Sequence, residues 1–128
     1  MAESLGTGTN LKRIMATEIK SDFYICVSIH EASSDAQDSS ALYEERLTLI
    51  AAGSSAEAMQ KAQQTVKAAT HTYKNEHGST ISWKCRRIVN VTAMVDSAPV
   101  DGAELYGRYF NDLDVYERLN QSLMRAEE

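Results

Sequence analysis

Residues 43–73 read YEERLTLIAAGSSAEAMQKAQQTVKAATHTY, and the fold turns on how that run divides. Its first third alternates. Leu47, Leu49 and Ala51 hold one phase while Arg46, Thr48 and Ile50 hold the other, the period-two pattern of a strand with one buried face. Gly53 interrupts it. Ser54 and Glu57 then stand at capping-box spacing, where the hydroxyl takes a free amide and the carboxylate reaches back. Met59, Ala62, Val66, Ala69 and Tyr73 recur at steps of three and four, which places them on one helical stripe. The run therefore predicts a strand, a tight break and a long central helix reaching Tyr73. Its Ala-rich stripe suits close approach to a sheet.

Upstream, Phe23, Ile25, Val27 and Ile29 alternate with Tyr24, Cys26, Ser28 and His30, giving a strand with one apolar and one mixed face. Residues 32–41 lose all periodicity and read as a polar loop between antiparallel strands. Downstream, Gly78 supplies a left-handed stop before the longest strand candidate, Thr80 to Val95, whose length predicts a bend or bulge. Pro99 and Asp101-Gly102 mark a turn. Residues 103–110 follow as an edge strand or packed arm. Asn111 then caps a final helix with a stripe of Leu113, Tyr116, Leu119 and Leu123. At the other end, residues 1–10 read as a flexible tail, Leu11, Ile14, Met15 and Ile19 as a short helix, and residues 11–128 as one domain. The expected class is α+β: a largely antiparallel three- to four-stranded sheet, the long central helix on one face and the C-terminal helix packed nearby. Leu47, Leu49, Val66, Trp83, Val89 and Leu105 are the expected core.

Composition narrows the function. A hydrophobic content of 43% excludes a wholly disordered chain, and a formal charge of -5 argues against general nucleic-acid binding, which needs clustered cations on phosphates. Cys26 and Cys85 fall inside strands and read as reduced, buried thiols. No apolar run reaches membrane-spanning length and no signal-peptide pattern opens the chain, so the expected location is cytoplasmic. His71 and His77 stand six apart, not at the four-residue spacing of paired helical ligands. Neither a metal nor a cofactor is expected. There is no G-x-S-x-G, and Gly6-Thr7-Gly8 lacks a phosphate-loop lysine. The chain reads as a non-enzyme.

Several polar residues stand out. Glu45 shares the phase of Leu47, and Arg87 that of Cys85 and Val89, so the two suggest an ion pair across the sheet. Lys84 and Arg86 beside Trp83 and Tyr73 make an aromatic-plus-cation set of the kind that binds single-stranded RNA. Tyr106 and Arg108 complete the candidate binding residues. A deep pocket joining His30, Tyr106 and Arg108 would point to an enzyme, whereas a flat apolar or acidic patch would point to a protein-binding module.

One ordered set resembles a known family. Tyr43-Glu44-Glu45-Arg46 opens a strand, Ser54-Ser55-Ala56-Glu57-Ala58 leads into a helix with Lys61-Ala62, and Tyr73-Lys74-Asn75 and Gly78 precede a strand with Trp83-Lys84. Asp101-Gly102-Ala103-Glu104-Leu105-Tyr106 then runs into Arg108-Tyr109-Phe110. Over residues 22–110 this resembles the bacterial domain-of-unknown-function family numbered 4288, with Gly107 where members commonly carry Ser. The resemblance implies the small α+β architecture and carries no activity with it. The function expected is a non-enzymatic protein–protein interaction module, of immunity or adaptor type, with a protein partner of unknown identity. Pairing of two copies through an uncovered sheet edge is a second route. The alternative is a small-ligand or RNA binder using the exposed sheet face.

Overall fold

The computed structural model describes residues 22–123. Strands β1 (Phe23–Ser34), β2 (Leu42–Ala51), β3 (Thr70–Lys74) and β4 (Thr80–Ala93) form one antiparallel sheet in the order β2-β1-β4-β3. Helix α1 (Ser55–Ala62) follows β2 and runs directly into a π-helical segment, Gln63–Lys67. Helix α2 (Leu113–Ser122) comes last. The α+β class and the antiparallel sheet are as the sequence predicts. The expected tail at 1–10 and short helix at 11–19 lie outside the described residues.

The capping box forms. Ser54 Oγ accepts from Glu57 N at 3.2 Å, and Glu57 Oε1 accepts from Gly53 N at 2.7 Å, one residue further back than the hydroxyl's own amide. Ala58, Ala62 and Val66 then pack onto Tyr24, Cys26, Ile50 and Cys85. The small side chains let the helix lie close to the strands.

The central helix is not long: α1 and its π-helical extension together span 13 residues. The apolar steps that carried the stripe on to Tyr73 belong to β3 instead. Thr70, His71, Thr72 and Tyr73 alternate β-branched and aromatic side chains, a strand preference that wins once β4 supplies a ladder. Asn75–Ser79 closes that hairpin, with Gly78 at φ +82° where a side chain would be strained. The fourth strand is therefore β3, and residues 103–110 form an extended arm outside the sheet. Asp96 pins the start of that arm: its carboxylate accepts from Glu104 N at 2.8 Å. The hairpin loop after β1 is tied down in the same way, because Asp35 Oδ1 accepts from Thr80 N at 2.8 Å.

The larger of two core clusters also sits on the other face from the one expected. Residues paired directly across antiparallel strands share a face, so Leu49 lies with Ile25 and Leu47 with Val27. Helix α1 covers the opposite, mixed face, burying Tyr24 and Cys26. Met94 and Tyr106 cover Ile25 and Val27 from below, and Val89 joins them. That leaves Leu47 and Leu49 bare, at 53% and 48% exposure. Of the expected core, Val66 is buried, Val89 and Trp83 are half-buried, and Leu47, Leu49 and Leu105 are exposed. Helix α2 starts at Asp112, not Asn111, with Asp112 Oδ1 accepting from Val115 N at 3.2 Å. It buries none of its side chains, against the expectation that it packs on the body.

Candidate functional site

The two faces of the sheet offer different chemistry. On the open face, Tyr43, Leu47 and Leu49 of β2 stand exposed beside the covered strip of β1. Glu45 and Arg87 flank Ile29 in register, one on each neighbouring strand. Both are exposed, and among the described residues no ion pair joins them. Arg86 instead pairs with Glu31 at 3.1 Å, and Lys84 stands opposite Glu31 in the ladder. Such an exposed pair contributes little to stability.

Tyr106 meets Asn90 through its hydroxyl at 3.4 Å, at the other end of β4 from Lys84 and Arg86. Tyr106 and Arg108 line a shallow groove with Phe110, Leu113, Tyr116 and Glu117. Phe110 stacks on Tyr116 with ring centroids 4.9 Å apart. The structure thus joins Tyr106 to Arg108 and Lys84 to Arg86, but not the two pairs to each other. His30 is on the opposite face from Tyr106, and Trp83, aligned with Ala32 and His71, is on the opposite face from Lys84. The aromatic-plus-cation set read from the sequence is split by the sheet.

Sequence reasoning missed a cleft on the α1 side. Helix α1 reaches only part of that face. Past its end a cavity of about 400 Å³ opens, floored by His30, Glu44, Arg46 and Trp83 and walled by Ala69, Thr70 and His71. Local irregularities build it. The β1–β4 register shifts between Val27 and Ser28 and again between Ile29 and His30, so one bulge precedes the buried Ser28 and a second separates it from the buried His30. The π-helical turn delivers Ala69–His71 to the wall. Lys67 clamps that turn to the second bulge, donating from Nζ to the carbonyls of Arg86 at 3.1 Å and Cys85 at 3.4 Å.

Within the cleft His30 is 2% exposed. Its Nε2 lies 2.8 Å from Ser28 Oγ, and among the described residues no group meets its second ring nitrogen. Burial, with the nearby Arg46 charge, holds the His30 pKa below the usual imidazole range, against a smaller opposite pull from Glu44. The ring is therefore neutral near pH 7. Arg46 donates from Nε and Nη2 to Glu44 Oε1 at 2.9 and 2.7 Å, and its guanidinium lies 5.9 Å from the Trp83 ring centroid. The signal that could have found this site was His30 itself, a polar group in phase with Cys26 on the face that α1 partly covers. Cys26 and Cys85 are buried and free, and burial followed by the proximity of Cys85 pushes the Cys26 thiol pKa up.

Among the described residues no helix is long and apolar enough to cross a membrane. Residues 23–107 match the model of the family Domain of unknown function (DUF4288), more than half of the 128-residue chain, and the protein belongs to that family. The matched span takes in all four strands, α1 and the cleft; α2 lies beyond it. No curated protein and no solved structure matches the chain.

Proposed function

We propose that this member of the DUF4288 family is a non-enzymatic protein–protein interaction module of immunity or adaptor type, acting in a bacterial cytoplasm. The observation that carries the reading is helix α2. It has ten residues and buries none of them, while Leu113, Val115, Tyr116 and Leu119 stand about half exposed or more. Isolated helices shorter than about 12–15 residues are marginal in water and take their stability from packing an apolar face. A capped, amphipathic helix with nothing under its stripe is therefore suited to dock on a partner. The bare strip of Tyr43, Leu47 and Leu49 adds a second apolar surface. Ser28 and His30 do not make a hydrolytic pair accessible to substrate, because Ser28 is fully buried on the same strand.

The test is affinity capture from the native cell with wild-type protein and with Leu119→Asp and Leu47→Asp, each checked for native circular dichroism. The expected result is one stoichiometric protein held by wild type, resistant to nuclease, and lost from at least one variant. Nothing retained, or the same proteins retained by all three baits, overturns the reading. Light scattering of the purified protein shows whether the partner is a second copy.

A further inference from the structure

We propose that the cleft beyond the end of α1 binds a small, neutral, planar heterocycle of the nucleobase class, stacked on Trp83 and hydrogen-bonded through its edge to His30. This site is separate from the apolar surfaces invoked above and does not depend on them.

A buried polar nitrogen without a partner is uncommon in folded proteins, since it loses water and gains nothing in return. His30 is in that position: Ser28 satisfies one ring nitrogen, the other has no partner among the described residues, and the residue lines a cavity. Three departures from regular structure lie beside the cleft: two β-bulges in the ladder of the strand that carries His30, and a π-helical turn just before the wall. Irregularities of both kinds concentrate at functional sites.

The lining sets the ligand class. A volume of about 400 Å³ lies at the lower end of the range for small-molecule sites. Trp83 offers a flat π-face, and base-on-aromatic stacking tolerates any heterocycle. Trp83 lines the cavity and its indole N–H has no partner among the described residues, whereas the Thr70 side chain shares the Lys84 face of the sheet, so Thr70 borders the cavity through its backbone. Charge is balanced, because Arg46 is paired with Glu44 and His30 is neutral. The wall follows directly on the C-terminal end of α1 and its extension, the electronegative end of a helix. Neither feature favours an anion. A ring with donor and acceptor atoms on its edge fits all of these groups.

Trp83 is the chain's only tryptophan, and it lines both this cleft and a second groove with Tyr73 and Ile81, so its emission reports on the two and the Ala69→Phe variant assigns the signal to the cleft. The full chain is titrated with adenosine, guanosine, cytidine and uridine up to about 1 mM, each corrected for absorbance. The expected result is saturable quenching by at least one nucleoside at one site per chain. Ala69→Phe, which fills the cleft from an exposed wall position, should weaken binding at least about tenfold with unchanged circular dichroism. His30→Gln should weaken it and change the preference among the four bases, since only the hydrogen-bonding edge is altered. Leu47→Asp on the far face should bind as wild type does. No saturable quenching by any nucleoside overturns the proposal, as does quenching that survives Ala69→Phe. The corresponding monophosphate should bind no tighter than the nucleoside; a tenfold gain from phosphate would make this an anion site and reject the neutral class.

Discussion

Helices α1 and α2 start alike and end differently. Each is opened by a side-chain oxygen 3.2 Å from an amide three residues on, Ser54 to Glu57 and Asp112 to Val115. Each is amphipathic. Yet α1 with its extension buries Ala58, Ala62 and Val66, and α2 buries nothing. Capping and amphipathicity create a helix; they do not dock it. What separates the two is side-chain size and what lies opposite. The α1 stripe is small and meets the thiols and aromatic of β1 and β4, so the helix lies close to the sheet. The α2 stripe is large, and its neighbour in the chain, Phe110, stacks on Tyr116 of the helix itself. The family match covers the docked helix and stops before the undocked one.

The comparison breaks first under charge. Ala62→Asp would set a carboxylate among Cys26, Cys85 and Ile50, and should cost about 3–5 kcal/mol, the range for an uncompensated buried charge. Leu119→Asp on α2 should change the unfolding free energy read from urea melts by less than about 0.5 kcal/mol, the range of ordinary surface changes. Equal midpoint shifts would abolish the distinction between the helices.

Acid should strike the α1 side next. The native state holds His30 neutral, while the unfolded chain protonates it below about pH 6.5. The unfolded state then binds more protons, so stability falls as pH falls. The His30 contribution is complete above about pH 6.5 and is lost toward the lower folded pKa, by at most about 1.4 kcal/mol per pH unit for one proton. Arg46, Glu44 and His71 face the same cavity and stay in place in His30→Gln. That variant should show a flatter dependence between about pH 7 and pH 5.5 in urea melts. An unchanged slope would remove His30 from the account. The smallest test compares caps. Ser54→Ala should lower global stability by about 1 kcal/mol. Asp112→Ala should reduce helical ellipticity and leave the urea midpoint where it was.

The sequence carried much of this through a few residues. Ser54 and Glu57 placed the α1 start, and the alternation of Phe23 to His30 and of Leu47 to Ala51 placed β1 and β2. The end of α1 was hidden because Ala69 and Tyr73 satisfy a helical step and a strand alternation equally well; only the ladder with β4 decides between them. The covered face was hidden for a related reason. Period two assigns Leu47 with Leu49 and Thr48 with Ile50, but it does not say which set a helix will reach. The choice fell to the mixed face, where Cys26 is small enough to accept α1 closely. The cleft was scattered over β1, β2, β3 and β4, and its residues become neighbours only through the sheet order. Of the binding residues read from the sequence, Tyr106 and Arg108 do share a groove, because both belong to the one arm that folds back under the sheet.

The π-helical turn at Gln63–Lys67 has a genetic consequence. A π turn closes on the fifth residue where an α turn closes on the fourth, so it stores one residue of slack in the chain. Deleting a single codon there draws an ordinary α turn, and the slack taken up leaves the next strand in register. A codon lost at the head of β3, where no slack is stored, would instead make His71 and Tyr73 exchange faces with Thr70 and Thr72, because side chains alternate along a strand. The same one-residue deletion is thus absorbed in the π turn and rewrites the cleft wall a few residues later, and an insertion is the step by which the π turn could first have been written.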